Sequence, residues 1–386
     1  MLSTFSDGNY EGVSDKMSKI LLVATVQSHI AQFHKPLMQL LKEYGWEIHV
    51  AARDNLNEKG DLKLEYPDKV FNVPFQRSPF DSRNFNAYKE LKTLLKTEHY
   101  DVIHCNTPVG GILARIAGNK YRRFGTHVYY TAHGFHFYKG ASLISWIVYY
   151  PIEKLMSRLT DKLLTITQED YNLASQKFHC KVYRTHGVGV DESRYTPIDE
   201  KKKNDLKRQK GFSGPVILNI GELLPNKNQI MAVEVMERVV AVFPNAVLLI
   251  AGNGPEDGSI RKKIADMGLQ NNIRLIGYCT NLQDYQHIAD VLIACSYREG
   301  LPLNIVEAML SNTPVVATNN RGHRELIENN VTGYLVDMDD INDMANKVCC
   351  VLKGDGVSMV ENARDKALNY GALSVREELK SIYCLN

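Results

Sequence analysis

Short apolar runs of strand length alternate with segments of helix length along almost the whole chain. This alternation is typical of parallel sheets covered by helices, because strands that are buried on both faces are apolar throughout. The runs fall into two sets with a polar stretch between them. The first set is 19–24, 47–52, 101–104, 127–131, 162–166 and 181–184, and the second is 216–220, 246–251, 273–276, 291–294, 314–317 and 334–336.

The polar stretch at 191–214 is rich in lysine and contains a proline and glycines, a change of composition that is typical of a linker. The pattern predicts an α/β fold class with two Rossmann-like, doubly wound domains of similar size, which face each other across a cleft. The first domain is predicted at 17–190 and the second at 191–367. Residues 1–16 are predicted to be a disordered extension, and a helix at about 368–386 is predicted to pack back on the first domain. Three consecutive lysines in the linker fit the solvated face of a short helix better than a nucleic-acid contact.

Two glutamates follow the apolar run at 291–294. Glu299 is predicted to lie in the loop after this strand, and Pro302 in the first turn of the next helix, where its missing N–H costs nothing. Glu307 then lies about five residues into the helix. The N–H groups at such a helix start attract an anion such as a pyrophosphate, and carboxylates accept hydrogen bonds from hydroxyl groups. The spacing fits a site for a phosphorylated sugar, and it fits a solvated loop glutamate and an exposed helix glutamate equally well.

Further loops of the second set carry candidate ligands. Lys227 lies where a helix opens after the first strand of the set, and a lysine there can act as a point charge against a phosphate. Gly254 lies in a Gly-x-Gly-Pro loop after the next strand, and Tyr278, after the third strand, can stack on a nucleobase. The pair Asp337-x-Asp339 could hold a divalent metal, but it precedes a predicted helix, so helix capping is the favoured interpretation.

Polar residues and glycines also follow the strands of the first set. Ser28 and His29 come after the first strand, and Asn106 and Thr107 come after the third. These residues are candidates for contact with a substrate, although capping by His29 and tight packing at the nearby glycines explain them equally well. No G-x-G-x-x-G motif follows the first strand, which removes the main sequence argument for a nicotinamide or flavin enzyme.

The segment after the fourth strand combines histidines with aromatic residues. His133 lies at the strand end before a glycine, where it can hydrogen-bond a ligand, although a single histidine of this kind is more often structural. His136 follows in the same segment. Residues 143–151 are apolar and aromatic, and basic residues precede them at 120, 122 and 123. This combination suits a membrane interface, while the packing of an ordinary helix explains it slightly better.

The composition limits the class of protein. Of the 386 residues, 44% are hydrophobic and 23% are charged, as in an ordinary globular protein, and the formal net charge of +2 gives no reason to expect nucleic acid. The seven cysteines are odd in number and form no CxxC pair, which favours free thiols in a reducing compartment. There is no signal-peptide pattern and no apolar stretch of the roughly 20 residues that span a bilayer. We therefore expect a cytoplasmic protein.

Taken together, these motifs resemble those of the family 4 glycosyltransferases, which are retaining enzymes of the GT-B fold. The likeness covers residues 17–386. Its most specific part is the motif S-x-x-E-G-x-P-x-x-x-x-E-A-M at 296–309, which is followed by Pro-Val-Val-Ala at 314–317. More narrowly, the segments 28–36, 104–108 and 131–137 are similar to those of bacterial capsule and exopolysaccharide sugar transferases.

The resemblance implies a role for each candidate residue. Glu307 would bind the ribose hydroxyls of the nucleotide, and Glu299 would contact the donor sugar. Lys227 would bind the diphosphate and His133 would face the reacting sugar, so that the expected catalytic residues are His133, Lys227 and Glu299. The donor nucleotide-sugar would be bound by Lys227, Gly254, Tyr278, Arg298, Glu299, Leu303, Asn304 and Glu307, and the acceptor by Ser28, His29, Asn106, Thr107 and His136.

One position departs from the pattern of the family. Many members carry an arginine beside the diphosphate where this chain has Glu222. A glutamate cannot neutralise a phosphate, so Arg298 and Arg324 are the candidates to supply the missing charge.

The implied activity is transfer of a sugar, with retention at the anomeric carbon, from a nucleotide donor that we expect to be UDP-linked. The implied acceptor is a polyprenyl-diphosphate-linked saccharide of capsular or exopolysaccharide biosynthesis, at the inner face of the cell membrane, with peripheral membrane contact. We expect no nucleic-acid partner, no cofactor other than the nucleotide-sugar co-substrate, and no metal. The alternatives are a UDP-sugar epimerase of the same architecture and a non-catalytic, two-lobed sugar-binding protein.

Overall fold

A computed structural model describes residues 17–59 and 62–385. The predicted disordered extension at 1–16 lies outside the described residues. The chain divides into two compact units between Val128 and Tyr129. The domain boundaries inferred from the sequence, at 190 and 367, remain a prediction.

The first sheet is parallel and has seven strands in the order β3-β2-β1-β4-β5-β6-β7. Its strands are β1 (Lys19–Val26), β2 (Glu47–Arg53), β3 (Lys69–Asn72), β4 (Val102–Asn106), β5 (His127–Ala132), β6 (Lys162–Thr165) and β7 (Lys181–Arg184). Strand β1 is buried from its second residue onward. Its residues Ile20 to Ala24 form an uninterrupted apolar run, which made the strand easy to predict.

The second sheet is also parallel and has six strands in the order β10-β9-β8-β11-β12-β13. Its strands are β8 (Val216–Ile220), β9 (Val247–Ala251), β10 (Ile273–Gly277), β11 (Val291–Ala294), β12 (Val315–Thr318) and β13 (Tyr334–Val336). Strand order reverses between β8 and β11, and ligands of such sheets bind beyond the carboxyl ends of the strands near that point.

Helices connect the strands and cover both faces of the second sheet. They are α1 (Gln27–Phe33), α2 (Lys35–Glu43), α3 (Asn84–Thr97), α4 (Pro108–Gly118), α5 (Leu143–Met156), α6 (Gln168–Lys177), α7 (Glu200–Gln209), α8 (Gln229–Val242), α9 (Asp257–Asp266), α10 (Leu282–Ile288), α11 (Leu303–Leu310), α12 (Arg321–Leu326), α13 (Ile341–Leu352), α14 (Val357–Leu368) and α15 (Ala372–Tyr383). Met236 of α8 and Val348 of α13 belong to one buried core, and Met309 of α11 and Ala367 of α14 belong to another. The prediction of an α/β fold with two Rossmann-like, doubly wound sheets is confirmed.

Strand β3 is the element that the apolar pattern did not predict. It is only four residues long, lies at the edge of the first sheet, and has no buried residue. An edge strand of this kind does not need an apolar run, because one of its sides faces solvent. The linker lysines at 201–203 lie on α7, which is partly exposed along its length.

The last helix, α15, begins at Ala372, four residues after the predicted start. Within the second unit it packs beside strands of the first sheet, with the rings of Tyr129 and Tyr383 centred 5.3 Å apart. Lys162 on β6 donates a hydrogen bond to the carbonyl oxygen of Ile382, and His186 Nδ1 lies 2.5 Å from a carboxylate oxygen of Glu378. None of the helices formed by the described residues combines the length and the apolar character that crossing a membrane requires.

Candidate active site

The loop from β11 to α11 carries both predicted glutamates. Pro302 is the residue immediately before α11 rather than part of its first turn, and its carbonyl oxygen accepts a hydrogen bond from the N–H of Ile305 at 3.1 Å. The backbone N–H groups of Leu303 and Asn304 begin the helix, so no carbonyl group of the helix precedes them by one turn. These two groups form the positive end of the helix dipole.

Lys227, which is predicted to bind the phosphate, and Glu299, which is predicted to bind the sugar, are in contact. Lys227 Nζ lies 2.5 Å from Glu299 Oε1, and both side chains remain partly exposed to solvent, at 25% and 14%. The two loops are also joined through their backbones, because Tyr297 N–H donates to the carbonyl of Asn226 and the Asn226 amide donates to the carbonyl of Arg298, both at 2.9 Å. A ligand at this end of the sheet can therefore reach a cation and a carboxylate together.

Glu307 lies further along α11. Burial raises the pKa of its carboxyl to about 7, although hydrogen bonds from Tyr195 and Gln286 favour the ionised form. Tyr195 belongs to a short 3₁₀ turn in the linker, and its pKa is raised by burial and then by the neighbouring Glu307. The sequence analysis missed Tyr195, because a tyrosine in a polar linker gives no signal that it will contact a helix more than a hundred residues away.

Leu303 and Asn304 use their side chains within the protein. The Asn304 amide donates to the carbonyl of Ile220 at the end of β8, at 2.9 Å, and its oxygen accepts from the N–H of Ile305 at 3.0 Å. Leu303 packs against a buried apolar core. Their predicted contact with a diphosphate is therefore left to their backbone N–H groups.

The glycine loop after β9 is shaped by packing. A Cβ atom at Gly252 would lie 1.9 Å from the carbonyl oxygen of Gly221, and one at Gly254 would lie 2.3 Å from that of Leu223. Both distances exclude any side chain, so the loops after β8 and β9 interlock. Tyr278, after β10, is 57% exposed. The predicted contacts of Gly254 and Tyr278 with the donor stay predictions.

The two arginines proposed to compensate for Glu222 differ in their surroundings. Arg324 Nη1 donates to the carbonyl of Asn319 at 3.1 Å and to its side-chain oxygen at 3.0 Å. Arg298 is exposed, and its charge adds to burial in lowering the pKa of His136. Arg298 therefore lies close to the histidine segment, and Arg324 is held beside its own strand end.

His133 directly follows β5 and is brought against the loop that carries Glu299. A Cβ atom at Gly300 would lie 2.3 Å from the carbonyl oxygen of His133, and Gly134 has a φ of +121° that favours glycine. Burial lowers the pKa of His133 to about 4, so its imidazole is neutral at pH 7. His136 stacks on Tyr149 with ring centres 4.5 Å apart.

Sequence reasoning missed two buried residues beside this loop, Arg321 and Asp170. Arg321 Nη1 lies 2.8 Å from Asp170 Oδ1, and their side chains are 4% and 1% exposed. Burial raises the pKa of Asp170 to about 6, and the charge of Arg321 opposes this shift. The two residues are 151 positions apart, so no local pattern could have paired them.

His323 is a further buried residue that the sequence did not indicate. Its Nδ1 lies 2.6 Å from the carbonyl oxygen of Thr318, which requires a proton on Nδ1 and leaves Nε2 as an acceptor. Burial lowers the pKa of His323 to about 4, and Glu299 and Lys227 are among the charges that act on it. Nε2 has no hydrogen-bond partner among the described residues.

The candidate residues of the first unit lie at the ends of β1 and β4. The Ser28 hydroxyl accepts a hydrogen bond from Asn55 at 2.9 Å, and the Thr107 hydroxyl contacts the N–H and the hydroxyl of Thr25 at 2.9 and 2.8 Å. His29 packs against the ring of Phe33. The Asn106 side chain is buried and donates to the carbonyl of His104 at 3.4 Å. Ser28 and Thr107 thus have hydrogen-bond partners within the protein. Their predicted role in binding the acceptor substrate stays a prediction.

The acidic pair before α13 takes part in local structure. Asp340 caps α13 by accepting a hydrogen bond from the N–H of Asp343 at 2.9 Å. Asp339 accepts a hydrogen bond from the Tyr297 hydroxyl at 3.0 Å. The segment 337–340 therefore caps α13, but through Asp340 and not through either member of the Asp337-x-Asp339 pair.

Comparison with known proteins identifies the family. Residues 200–370 match the family described as "Glycosyl transferases group 1", and residues 19–167 match "Glycosyl transferase 4-like". The chain is 37% identical over 371 residues to the putative glycosyltransferase EpsD of Bacillus subtilis (strain 168), a match that covers 95% of this chain and 96% of EpsD. The chain belongs to the family 4 glycosyltransferases. The resemblance inferred from the motifs is thereby confirmed, and the protein is a glycosyltransferase.

Two further relatives of this glycosyltransferase are informative. It is 27% identical to the UDP-Gal:alpha-D-GlcNAc-diphosphoundecaprenol alpha-1,3-galactosyltransferase of Escherichia coli, over 89% of this chain and 90% of that protein. Among solved structures, Anabaena Alr3699/HepE in complex with UDP and glucose superposes with a TM-score of 0.76 at 20% identity, over 95% of this chain and 99% of the other. This similarity supports the fold of the glycosyltransferase.

Proposed function

We propose that this glycosyltransferase transfers a sugar from a UDP-linked donor to a hydroxyl of a lipid-diphosphate-linked saccharide, with retention at the anomeric carbon. The observation that carries the proposal is the contact of 2.5 Å between Lys227 and Glu299 at the amino end of α11. One charged pair there can serve both halves of a nucleotide-sugar, because the lysine fits a phosphate and the carboxylate fits sugar hydroxyls.

Donor binding would rearrange this pair. The diphosphate replaces Glu299 as the partner of Lys227, and the freed Glu299 carboxylate accepts hydrogen bonds from the donor sugar. When the bond to the sugar breaks, negative charge grows on the diphosphate. Lys227 and the N–H groups of Leu303 and Asn304 then stabilise the leaving group.

Glu307 is suited to bind the ribose of the nucleotide. Its carboxyl has a raised pKa because it is buried, so two ribose hydroxyls that donate to it would restore the hydrogen bonds that water supplied. A UDP donor is supported by the UDP-Gal in the name of the E. coli relative and by the UDP bound to HepE.

Retention is proposed to follow from attack on the same face that the diphosphate leaves, assisted by that phosphate. His133 is neutral at pH 7 and can accept a hydrogen bond from the reacting sugar without adding positive charge next to it. Lys227 and the helix dipole supply the positive charge at the phosphates, so we propose that no metal is required. Activity that is lost in a chelator and restored by manganese would contradict this.

The lipid-linked acceptor is supported by the diphosphoundecaprenol in the name of the E. coli relative and by the surface of α5. Leu143, Ile144 and Ile147 on α5 are 79%, 73% and 73% exposed. Trp146 lies on the same helix, Lys154 lies in its last turn, and Arg158 lies in the 3₁₀ turn that follows. An apolar helix face with aromatic and basic residues suits the interface of an anionic bilayer. We propose that the protein contacts the inner face of the cell membrane through α5, in capsular or exopolysaccharide biosynthesis.

A screen of UDP-, GDP- and dTDP-sugars by ligand-induced thermal shift tests the donor first, because binding to the native state raises the apparent stability. We expect a shift with UDP-sugars and none with the others. Incubation of the selected donor with and without a polyprenyl-diphosphate-linked saccharide then tests the reaction. Transfer only in the presence of the acceptor is expected, whereas an epimerised donor formed without any acceptor would make the enzyme an epimerase.

A further inference from the structure

The buried ion pair of Arg321 and Asp170 joins two elements of the second unit. Asp170 is the third residue of α6 and Arg321 is the first residue of α12. Replacing a buried ion pair by apolar residues of similar size is often neutral or stabilising, because removing two charges from water is costly. Stability alone therefore gives no reason for this pair, and its other contacts need an explanation.

The pair holds the backbone of Phe135 at both of its polar groups. Asp170 Oδ2 accepts a hydrogen bond from the N–H of Phe135 at 3.2 Å, and Arg321 Nη1 donates to the carbonyl oxygen of Phe135 at 3.3 Å. The guanidinium of Arg321 also lies 4.8 Å from the ring centre of Tyr138. Because Phe135 is two residues after His133, the pair fixes the turn that presents this histidine.

The same short segment also touches the loop of Glu299. A Cβ atom at Gly322 would lie 2.6 Å from the Glu299 Cβ and 2.6 Å from the carbonyl oxygen of Gly300. A Cβ atom at Gly134 would lie 2.6 Å from Arg321 Nη2. Two consecutive residues, Arg321 and Gly322, thus contact the His133 turn and the Glu299 loop, respectively, with no room for adjustment between them.

We propose that Arg321 and Asp170 are positioning residues, which fix the His133 turn in register with the Glu299 loop for sugar transfer. This inference rests on the proposed function. A misplacement of about 1 Å in a catalytic constellation can reduce the rate by roughly 100-fold. Neither residue contacts Lys227 or Glu307, so donor binding is expected to be independent of the pair.

The first test is Arg321→Lys, which keeps the charge but replaces the planar fork of donors by a single nitrogen. We expect kcat to fall at least about tenfold, because one nitrogen cannot hydrogen-bond both Asp170 and Phe135 and also fill the space beside Gly134. The KM for the donor and the Kd for UDP are expected to stay within about twofold of wild type.

The chain offers a matched control in Arg184→Lys. Arg184 Nη2 lies 2.9 Å from a carboxylate oxygen of Glu325 on α12, and the other oxygen accepts from the N–H of Gln168 on α6 at 2.9 Å. This pair joins β7 to α12, and Glu325 also links α12 to α6, but among the described residues neither member has a hydrogen bond to the His133 turn. We expect its kcat to stay within about twofold of wild type. A kcat of Arg321→Lys that is also within twofold, or an equal loss in both variants, would show the positioning role to be wrong.

A double variant separates positioning from stability. Arg321→Met with Asp170→Leu removes both charges and fills their space, but it also removes these hydrogen-bond partners of the Phe135 backbone, so its thermal stability is measured together with its kcat. A kcat that stays low in a folded double variant supports positioning, and a kcat restored to within about threefold of wild type overturns it. The two lysine variants decide the question if the double variant does not fold. Absence of transfer by wild type with every donor would refute the proposed function itself, a result distinct from all of these.

Discussion

Helices α5 and α11 are both rich in apolar residues, and they lie in opposite environments. In α11 the residues Ile305, Val306, Ala308, Met309 and Leu310 are all buried. In α5 only Glu153 and Met156 are buried, and the aliphatic side chains of its first turns point to solvent. The apolar content of a helix therefore does not tell where that helix lies.

Each of the two helices contains one glutamate, and the surroundings of these two residues differ. Glu307 in α11 is surrounded by buried neighbours, and burial raises its pKa to about 7. Glu153 is the buried polar residue of α5 and accepts a hydrogen bond from the Tyr130 hydroxyl at 3.4 Å. Helix α5 thus presents aliphatic side chains outward, where an ordinary surface helix is polar. Its inward side is mixed, because the rings of Trp146 and Tyr150 pack against Phe137 beside the buried Glu153 and Met156. In each helix, the acid lies on the side that faces the protein.

The sharpest difference is expected in stability. Ile305→Ala in α11 should lower the free energy of unfolding by about 2–5 kcal/mol, because it leaves a cavity in a closed core. Ile147→Ala in α5 should change it by less than about 0.5 kcal/mol, because that side chain is already in solvent. Denaturant unfolding of both variants measures the difference. Equal losses would mean that α5 is covered in the folded protein.

The second difference is expected in membrane binding. Replacing Leu143, Ile144 and Ile147 together by serine should weaken binding to anionic vesicles by on the order of 100-fold, about 3 kcal/mol, since three aliphatic side chains no longer enter the interface. Vesicle flotation measures this effect. Leu373→Ser on α15, at a residue that is 71% exposed, is the control and should leave flotation unchanged. Wild-type protein that does not float with vesicles would contradict the proposed membrane contact.

The third difference concerns the acids of the two helices. Glu307→Gln should weaken UDP binding by about 1.5–3 kcal/mol, because an ionised acceptor of ribose hydroxyls is lost. Glu153→Gln should leave the affinity for UDP unchanged, since this glutamate contacts Tyr130. Isothermal titration with UDP compares the two variants. An unchanged affinity of Glu307→Gln would refute the ribose role.

The smallest effect is expected in the pH dependence of stability. The pKa of Glu307 is about 7 in the folded protein and near 4.5 when unfolded, so the folded state holds the proton more tightly. Stability from this group is fully present below pH 4.5 and is lost as the pH rises through 7. We expect Glu307→Gln to be more stable than wild type at pH 8 and equal to it at pH 4. The gain at pH 8 is on the order of 1 kcal/mol, because solvent reaches part of the residue although its carboxyl group is largely buried. Denaturant unfolding at the two pH values measures this.

Much of the fold was predictable because parallel strands that are buried on both faces consist of consecutive apolar residues. Strands β1 and β9 show this, and β3 was missed because an exposed edge strand needs no such run. The position of Glu299 between a strand and a helix was equally accessible, because it depends on neighbours in the sequence. The exposure of the aliphatic side chains of α5 was not predictable, since either packing or exposure fits the same apolar segment.

The contacts of the candidate site depend on distant residues and were less predictable. The loop lysine and the first glutamate could be assigned to separate loops, but their contact is a property of the folded sheet. Asp170 and Arg321 carry no local signal, and Tyr195 lies in a linker that looked only polar. The Ser28 hydroxyl was a candidate ligand on its polarity, and its partner Asn55 could be identified only once β2 was placed next to β1.

The interlocked loops after β8 and β9 limit how this enzyme can be changed. Carbonyl oxygens occupy the space of any side chain at Gly252 or Gly254, so a library randomised over these positions should return glycine at both, whichever sugar is selected. Tyr278 and Arg298 are exposed and can vary without such a clash. Directed evolution toward a different donor can therefore substitute Tyr278 and Arg298, while the backbone of the two interlocked loops stays unchanged.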